Sequence, residues 1–330
     1  MVILGISPYF GKNFIEFLTL FFERMVQFCT GQIGVADLAS DEVQVLVLSL
    51  VATSCALIGT FLVLKKMTML ANSLSHTILL GIVVAYLILL PFIPETEVHA
   101  HAISIKVLLI ASFVTGLITT LLTQMLTQVL KLQEDASTGL VFTTLFALGI
   151  VLVTVFTRNT HLGTEAIMGN ADALHVHDLK LIFWIALFDF IIVTLFFKEF
   201  KMITFDGAFA DAQGCSKSSF NYLLMVLTSA TVIGAFRAIG VLLVLAFLVG
   251  PVLTARLFTH RLKKMILLAI GIGIGASLLS VALARHFLSV HHLPLSTSGL
   301  AATMLGAIYF VCLLIYCFLR TRGLTLSNNK

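Results

Sequence analysis

The stretch "NYLLMVLTSATVIGAFRAIGVLLVLAFLVGPVLTARLFT", residues 221–259, decides the fold. It is apolar almost throughout, and it is too long for one crossing of a bilayer. A helix needs about 20 mainly apolar residues to cross the hydrocarbon core. Arg237 and Gly240 interrupt the run, so the spacing predicts two short spans with a break at "FRAIG". Parity matters here. An odd number of spans between Lys217 and Arg261 would put the cations on the two sides of that stretch across the membrane from each other.

Working outward, further spans are predicted near 43–64, 70–90, 105–127, 138–157, 178–197, 264–285 and 299–319. The chain of 330 residues is 59% hydrophobic and 11% charged, with a mean hydropathy of +1.08. A soluble domain carries roughly a quarter charged residues, so this much apolar surface belongs in lipid. A net charge of +4, scattered along the chain, excludes nucleic acid as a partner. Five cysteines form neither a CxxC pair nor a zinc-ribbon spacing. No basic leader with a small-residue cleavage site opens the chain.

Residues 13–29 differ from the spans. Phe14, Phe17, Leu18, Phe21, Met25 and Phe28 make one stripe, and Glu16, Glu23 and Gln27 another. This pattern predicts an amphipathic helix lying in the membrane interface. The alternative, an additional span, would place Glu16, Glu23 and Arg24 in lipid at high cost. The expected fold class is all-α: a polytopic membrane protein of about eight transmembrane helices plus an N-terminal amphipathic interfacial helix. The expected division is an N-terminal amphipathic segment at 1–40, a transmembrane domain at 41–320 and a polar tail at 321–330.

Charge orients the bundle. Lys65, Lys66, Lys131, Lys198, Lys201, Lys217, Arg256, Arg261, Lys263, Lys264, Arg320, Arg322 and Lys330 fall on one side, 13 of the 20 Lys and Arg. By the positive-inside rule that side is the cytoplasm. Eight of the 10 histidines fall at or beyond the opposite surface: His99, His101, His161, His175, His177, His286, His291 and His292. One reading is that outer loops are simply polar. The sharper one is a metal-friendly vestibule, because neutral imidazole ligates transition metals. Within it, His99 and His101, and again His175 and His177, would point their rings the same way in extended chain.

Inside the spans, "MLANSLSHTILLG" (69–81) carries Asn72 and His76 on one helical face. Two readings stand at this point: a hydrogen-bonding surface between helices, or a weak pair of metal ligands lining a path. Asp189 lies mid-span, either as a functional acid or bonded to a hydroxyl on a neighbouring helix. Arg285 ends a span and is expected to snorkel outward. "GIGIGAS" (271–277) contains Gly271-x-x-x-Gly275, a spacing that suits close helix packing. The chain has no GxxxxGK[ST], HExxH or GxSxG motif, so it is expected not to bind ATP through a P-loop and not to be an enzyme.

The residues resemble a family. "GTFLVLKKMTMLANSLSHTILLGI" (59–82), "EDASTGLVFTTLFALGIVL" (134–152), "EAIMGNADAL" (165–174), "ITFDGAFADAQG" (203–214), "AIGVLLVLAFLVGPVLTARL" (238–257) and "LPLSTSGL" (293–300) are similar, in this order, to segments of the membrane permeases of ATP-binding-cassette importers for zinc, manganese and iron. The resemblance runs from about 43 to 310. It implies a multi-pass protein of the bacterial inner (plasma) membrane and a second permease chain, identical or paralogous. It also implies two ATPase subunits at the cytoplasmic face and an extracytoplasmic protein that delivers metal. No cofactor is expected to be held tightly; the divalent ion is cargo. Segment 203–214 would be a short helix docking on the ATPase, with Phe205 and Phe209 as apolar knobs beside Asp206 and Gly214. The family's second span usually pairs an Asp with a His four residues on. Here His76 is kept but the Asp position is Asn72, which removes a negative charge from the metal path and leaves the metal open.

Two other classes compete. An ion-gradient-driven secondary metal transporter would need a proton-carrying acid, for which Asp189 is the mid-span candidate. A membrane enzyme would use the outer histidines as its metal centre.

Overall fold

The computed structural model describes residues 8–89, 105–156 and 171–321. Twelve α-helices account for nearly all of them, and no strand occurs among the described residues. They are α1 (Phe14–Cys29), α2 (Ser40–Leu64), α3 (Thr68–Leu89), α4 (Ile105–Val129), α5 (Glu134–Phe156), α6 (Val176–Leu195), α7 (Phe197–Phe205), α8 (Gly207–Ala212), α9 (Lys217–Ile239), α10 (Val241–Phe258), α11 (Leu262–His291) and α12 (Thr297–Thr321). Helices dominate because lipid offers no partner to an open backbone group, and each helix closes its own hydrogen bonds.

Eight of these helices are long and apolar enough to cross a membrane, in keeping with the expected number. A ninth crossing is available if α6 and α7, bent by 70° at Phe196, form one broken span. The segments marked out from the sequence also number nine once both halves of 221–259 are counted. The break inside that stretch falls where expected. Helix α9 ends at Ile239, α10 starts at Val241, and Gly240 between them has φ +83°. A side chain would be strained in that conformation.

Contacts divide the chain into two units. The first comprises Met1–Thr60, Asn170–Phe188 and Ala238–Lys330. Within it α10, α11 and α12 pack on one another, and α2 joins them through small residues. A Cβ on Gly59 would sit 2.2 Å from the Leu248 carbonyl oxygen, and one on Gly273 would sit 2.9 Å from the Ala52 Cβ. In lipid, such backbone approach replaces the hydrophobic drive of water-soluble cores. Gly273, not the Gly271/Gly275 pair, is therefore the packing residue of "GIGIGAS". Among the described residues, nothing lies within 4 Å of a Cβ at either of the other two.

A polar cluster ties the first turn of α2 to the rest of this unit. Arg285 of α11 donates from Nε to Asp41 Oδ1 at 2.9 Å, so it pairs with a buried acid rather than snorkelling. Gln44 donates to the Ala171 carbonyl (2.7 Å) and to Asp172 Oδ1 (3.0 Å). Thr297, at the start of α12, donates its backbone N–H to the same Asp172 oxygen at 3.3 Å. These groups line a cavity of about 410 Å³.

The second unit comprises Phe61–Gly169 and Asp189–Arg237. Here α3, α4 and α5 pack mutually. Hydroxyls stitch the contact: Thr119 of α4 lies 3.1 Å from Thr77 of α3. Asp189 of α6 is fully buried and accepts from Thr231 Oγ1 of α9 at 2.6 Å, the hydroxyl partnership that was one of its two readings.

Candidate functional site

Helix α3 sorts its polar residues into two kinds. Ser73, Ser75 and Thr77 are buried. Ser75 returns its hydroxyl to the Ala71 carbonyl at 2.9 Å and Thr77 to Leu74 at 3.3 Å, so these two hydroxyls are absorbed by the helix, while the Ser73 hydroxyl makes no hydrogen bond among the described residues. Asn72 and His76 are only half-buried and share a face, as their spacing of four requires. The His76 ring centroid lies 5.4 Å from Phe142 and 5.4 Å from Phe146 of α5. Those two rings stack on each other at 5.7 Å. An aromatic slot therefore restricts the imidazole, and a restricted imidazole keeps its nitrogens in a fixed direction. The pair offers one nitrogen and one neutral amide oxygen. Among the described residues no three His, Cys, Asp or Glu side chains come together as a metal site.

Of the outer histidines, His99, His101 and His161 lie outside the described residues. His175 and His177 are exposed. They sit in a helix start rather than in extended chain, because the Asp178 carboxylate accepts from the His175 backbone N–H at 3.1 Å and opens α6 there. Two residues apart in such a turn, their side chains diverge. At the end of α11 the His286 and His291 rings lie 6.0 Å apart. His292 follows with φ +55°, closing the helix onto the Phe287 carbonyl.

The segment 203–214 forms the end of one helix and the whole of another, not a single short helix. The reason is Asp206. Its extended backbone stops α7, and its side chain accepts from the Phe209 N–H at 2.9 Å, capping α8. Gly214, with φ +82°, turns the chain back. The Asp211 carboxylate then accepts from the Lys217 N–H at 2.9 Å as α9 begins. Helix α7 is held by an aromatic nest. Buried Phe200 lies 5.4 Å from Phe61 of α2 and 5.9 Å from Phe220 of α9, with Ile203 and Ala210 buried beside it. Phe205 and Phe209 take no part in this anchoring; they are 59% and 50% exposed. Two large apolar rings thus stand out from a corner anchored by buried residues, with Lys198, Lys201 and Lys217 close to it along the chain.

The sequence reading missed three features: the Phe142/Phe146 slot, the Asp41–Arg285 pair and the Asp206 cap. The first two need tertiary contacts. The third had a local signal, an Asp three residues before the second Phe of an "FDGAF" run.

Comparison with known proteins agrees with this geometry. A family model described as the ABC 3 transport family matches residues 42–316, and so begins after α1. A probable metal transport system membrane protein of Chlamydia trachomatis serovar D is 40% identical over 329 residues, 100% of each chain. The manganese transport system membrane protein MntD of Bacillus subtilis is 35% identical over 273 residues, 79% of this chain and 86% of that one. Among solved structures, PsaBC from Streptococcus pneumoniae in complex with Fab has a similar fold. Its TM-score is 0.67 at 21% identity, covering 90% of this chain and 99% of that one.

Proposed function

The chain belongs to the ABC 3 transport family, and on that premise we propose that it is the membrane permease of an ATP-driven importer for divalent transition metal ions: manganese, zinc or iron. It is a multi-pass protein of the bacterial inner membrane. Relatives named for metal transport, one of them for manganese, support the cargo class. The observation that carries the permease reading is the corner at α7 and α8. Its rings are exposed, its anchoring is buried, and it lies on the cation-rich side.

In this scheme Phe205 and Phe209 seat on an ATPase subunit, with Asp206 and Gly214 fixing the angle of the corner. A push on α7 passes through Phe200 to Phe61 and Phe220, and so to α2 and α9. Metal arrives from an extracytoplasmic binding protein at the outer face, the side to which the charge pattern assigns His99, His101, His175, His177, His291 and His292. It then passes the level of Asn72 and His76. One nitrogen and one amide oxygen do not complete a coordination shell, so further ligands come from water or from a second permease chain, identical or paralogous. The ion is cargo, and incomplete ligation lets it leave. ATP-driven switching works because the ATPase binds two conformations of the permease with different affinity. Residues 41–320 form the permease body, 1–40 an added segment and 321–330 a tail.

The test is transport by the reconstituted complex. His76→Ala should stop metal uptake while the ATPase subunits still co-purify. Normal uptake would remove His76 from the path.

A further inference from the structure

Helix α1 has three faces where an ordinary surface helix has two. At 100° per residue, Phe17 and Phe21 share one stripe, and about 140° around from it Ile15, Phe22 and Val26 share another. Glu16, Glu23 and Gln27 form a third stripe, at least about 100° from either. The first stripe is buried against the protein. Tyr9, just before the helix, packs on Phe17 with the two ring centroids 4.7 Å apart. The second is apolar but uncovered: Ile15 is 73%, Phe22 57% and Val26 62% exposed. The second and third stripes each run most of the length of the helix.

The depth of α1 is fixed by a latch. Glu42, in the first turn of the α2 span, is fully buried. It accepts from the Tyr9 hydroxyl at 2.7 Å and from the Ala39 N–H at 2.8 Å, and it forms an ion pair with Arg24. Arg24 also reaches the Asp37 carbonyl at 3.3 Å. Burial, together with the Glu42 acceptor, pushes the Tyr9 phenol above its ordinary value, so it stays a donor. Both ends of the latch belong to α1 and its lead-in, so α1 is held where α2 enters lipid. At about 1.5 Å per residue its 16 residues span only about 24 Å, short of the hydrocarbon core.

We propose that α1 is an interfacial anchor: it lies in the outer leaflet with Ile15, Phe22 and Val26 in the boundary between headgroups and acyl chains. The water stripe decides the occupant. A protein partner covering the second apolar face would leave Glu16 and Glu23 no preferred direction. A flat lipid surface gives all three stripes a surrounding of matching polarity at once. An axis along the membrane normal would drag one of the two glutamates into hydrocarbon, so the helix lies in the plane. The anchor fixes the level of α2, and with it the Asp41 and Gln44 ties beside Glu42. It does not depend on which ion the permease carries.

The test uses the full chain, with its ATPase subunits, in lipid vesicles. The five native cysteines are replaced, and nitroxide labels are placed singly at Ile15→Cys, Phe22→Cys, Val26→Cys, Glu16→Cys and Glu23→Cys. All five positions face away from the packed stripe; Glu16 also accepts from the Asn13 backbone N–H at 3.2 Å and caps α1, so Glu23→Cys alone reports the water stripe if Glu16→Cys loosens the start of the helix. Collision with oxygen relative to a water-soluble nickel chelate should be several-fold higher at 15, 22 and 26 than at 16 and 23. Equal nickel access at all five would overturn the proposal. So would shielding of 15, 22 and 26 from both reagents, which would mean that a second copy or the delivery protein covers the face. A label-free check is Phe22→Trp with Trp184→Phe: brominated lipid should quench its fluorescence, and absence of quenching counts against the anchor. An impermeant thiol reagent added outside intact cells should modify Glu23→Cys; reaction only after permeabilisation would overturn the outer-leaflet assignment.

Discussion

Replacing Phe205 and Phe209 with aspartate, singly and together, should separate the permease from its ATPase without unfolding it. The two rings are 59% and 50% exposed. A phenylalanine offers about 200 Å² to bury, so each has roughly 100–120 Å² free to cover on docking. At about 25 cal/mol per Å², that is about 2.5–3 kcal/mol per ring, the size found for aromatic anchors at interface centres. It corresponds to roughly 60- to 150-fold in Kd for each substitution. Affinity should be measured by surface-immobilised titration of the ATPase onto nanodisc-embedded permease. ATP-driven metal uptake should be followed in parallel in proteoliposomes. Phe200→Asp is the contrasting variant: that ring is fully buried between Phe61 and Phe220, and its loss should appear as failed folding. If both exposed-ring variants bind the ATPase at the original Kd, the corner at α7 and α8 is not the docking surface.

Other outcomes follow from the same geometry. His76→Ala should abolish ATP-driven uptake while leaving co-purification and thermal stability near normal, because the ring is half-buried and its removal leaves Phe142 and Phe146 stacked. Asp189→Asn should keep the Thr231 contact and transport metal at close to the original rate. A large loss there, with assembly intact, would favour an acid that carries protons. Gly59→Ala places a methyl 2.2 Å from the Leu248 carbonyl oxygen and should cost about 1–3 kcal/mol, seen as a lower temperature of aggregation in detergent. Arg285→Leu removes the guanidinium that pairs with buried Asp41; breaking a buried ion pair in this way typically costs about 3–5 kcal/mol and should lower the same temperature further.

Much of the fold was legible because lipid makes it so. A membrane-spanning helix announces itself by length and hydropathy alone, and the cation bias between loops supplies the orientation. The break at Gly240 was readable because residues 221–259 are too long for one crossing and Arg237 and Gly240 interrupt the run near its middle. The pairing of elements was less accessible. Gly271 and Gly275 matched a packing motif, yet Gly273 makes the close approach, since which face of α11 meets α2 depends on the whole bundle. Arg285 looked like a snorkelling terminus because Asp41 lies 244 positions earlier in the chain. For the candidate site, the spacing of Asn72 and His76 put both on one face. The slot that receives His76 comes from α5, about 70 residues away along the chain. Helix α6 was marked as a simple span, but its 70° bend into α7 has no proline or glycine to reveal it.

The most direct measurement is metal uptake into proteoliposomes holding the permease with and without its ATPase subunits, energised in turn by ATP and by a proton gradient. Uptake that needs both the ATPase and ATP, and that a proton gradient alone does not drive, is the expected result. Accumulation of manganese, zinc or iron by the permease alone under a proton gradient would contradict it.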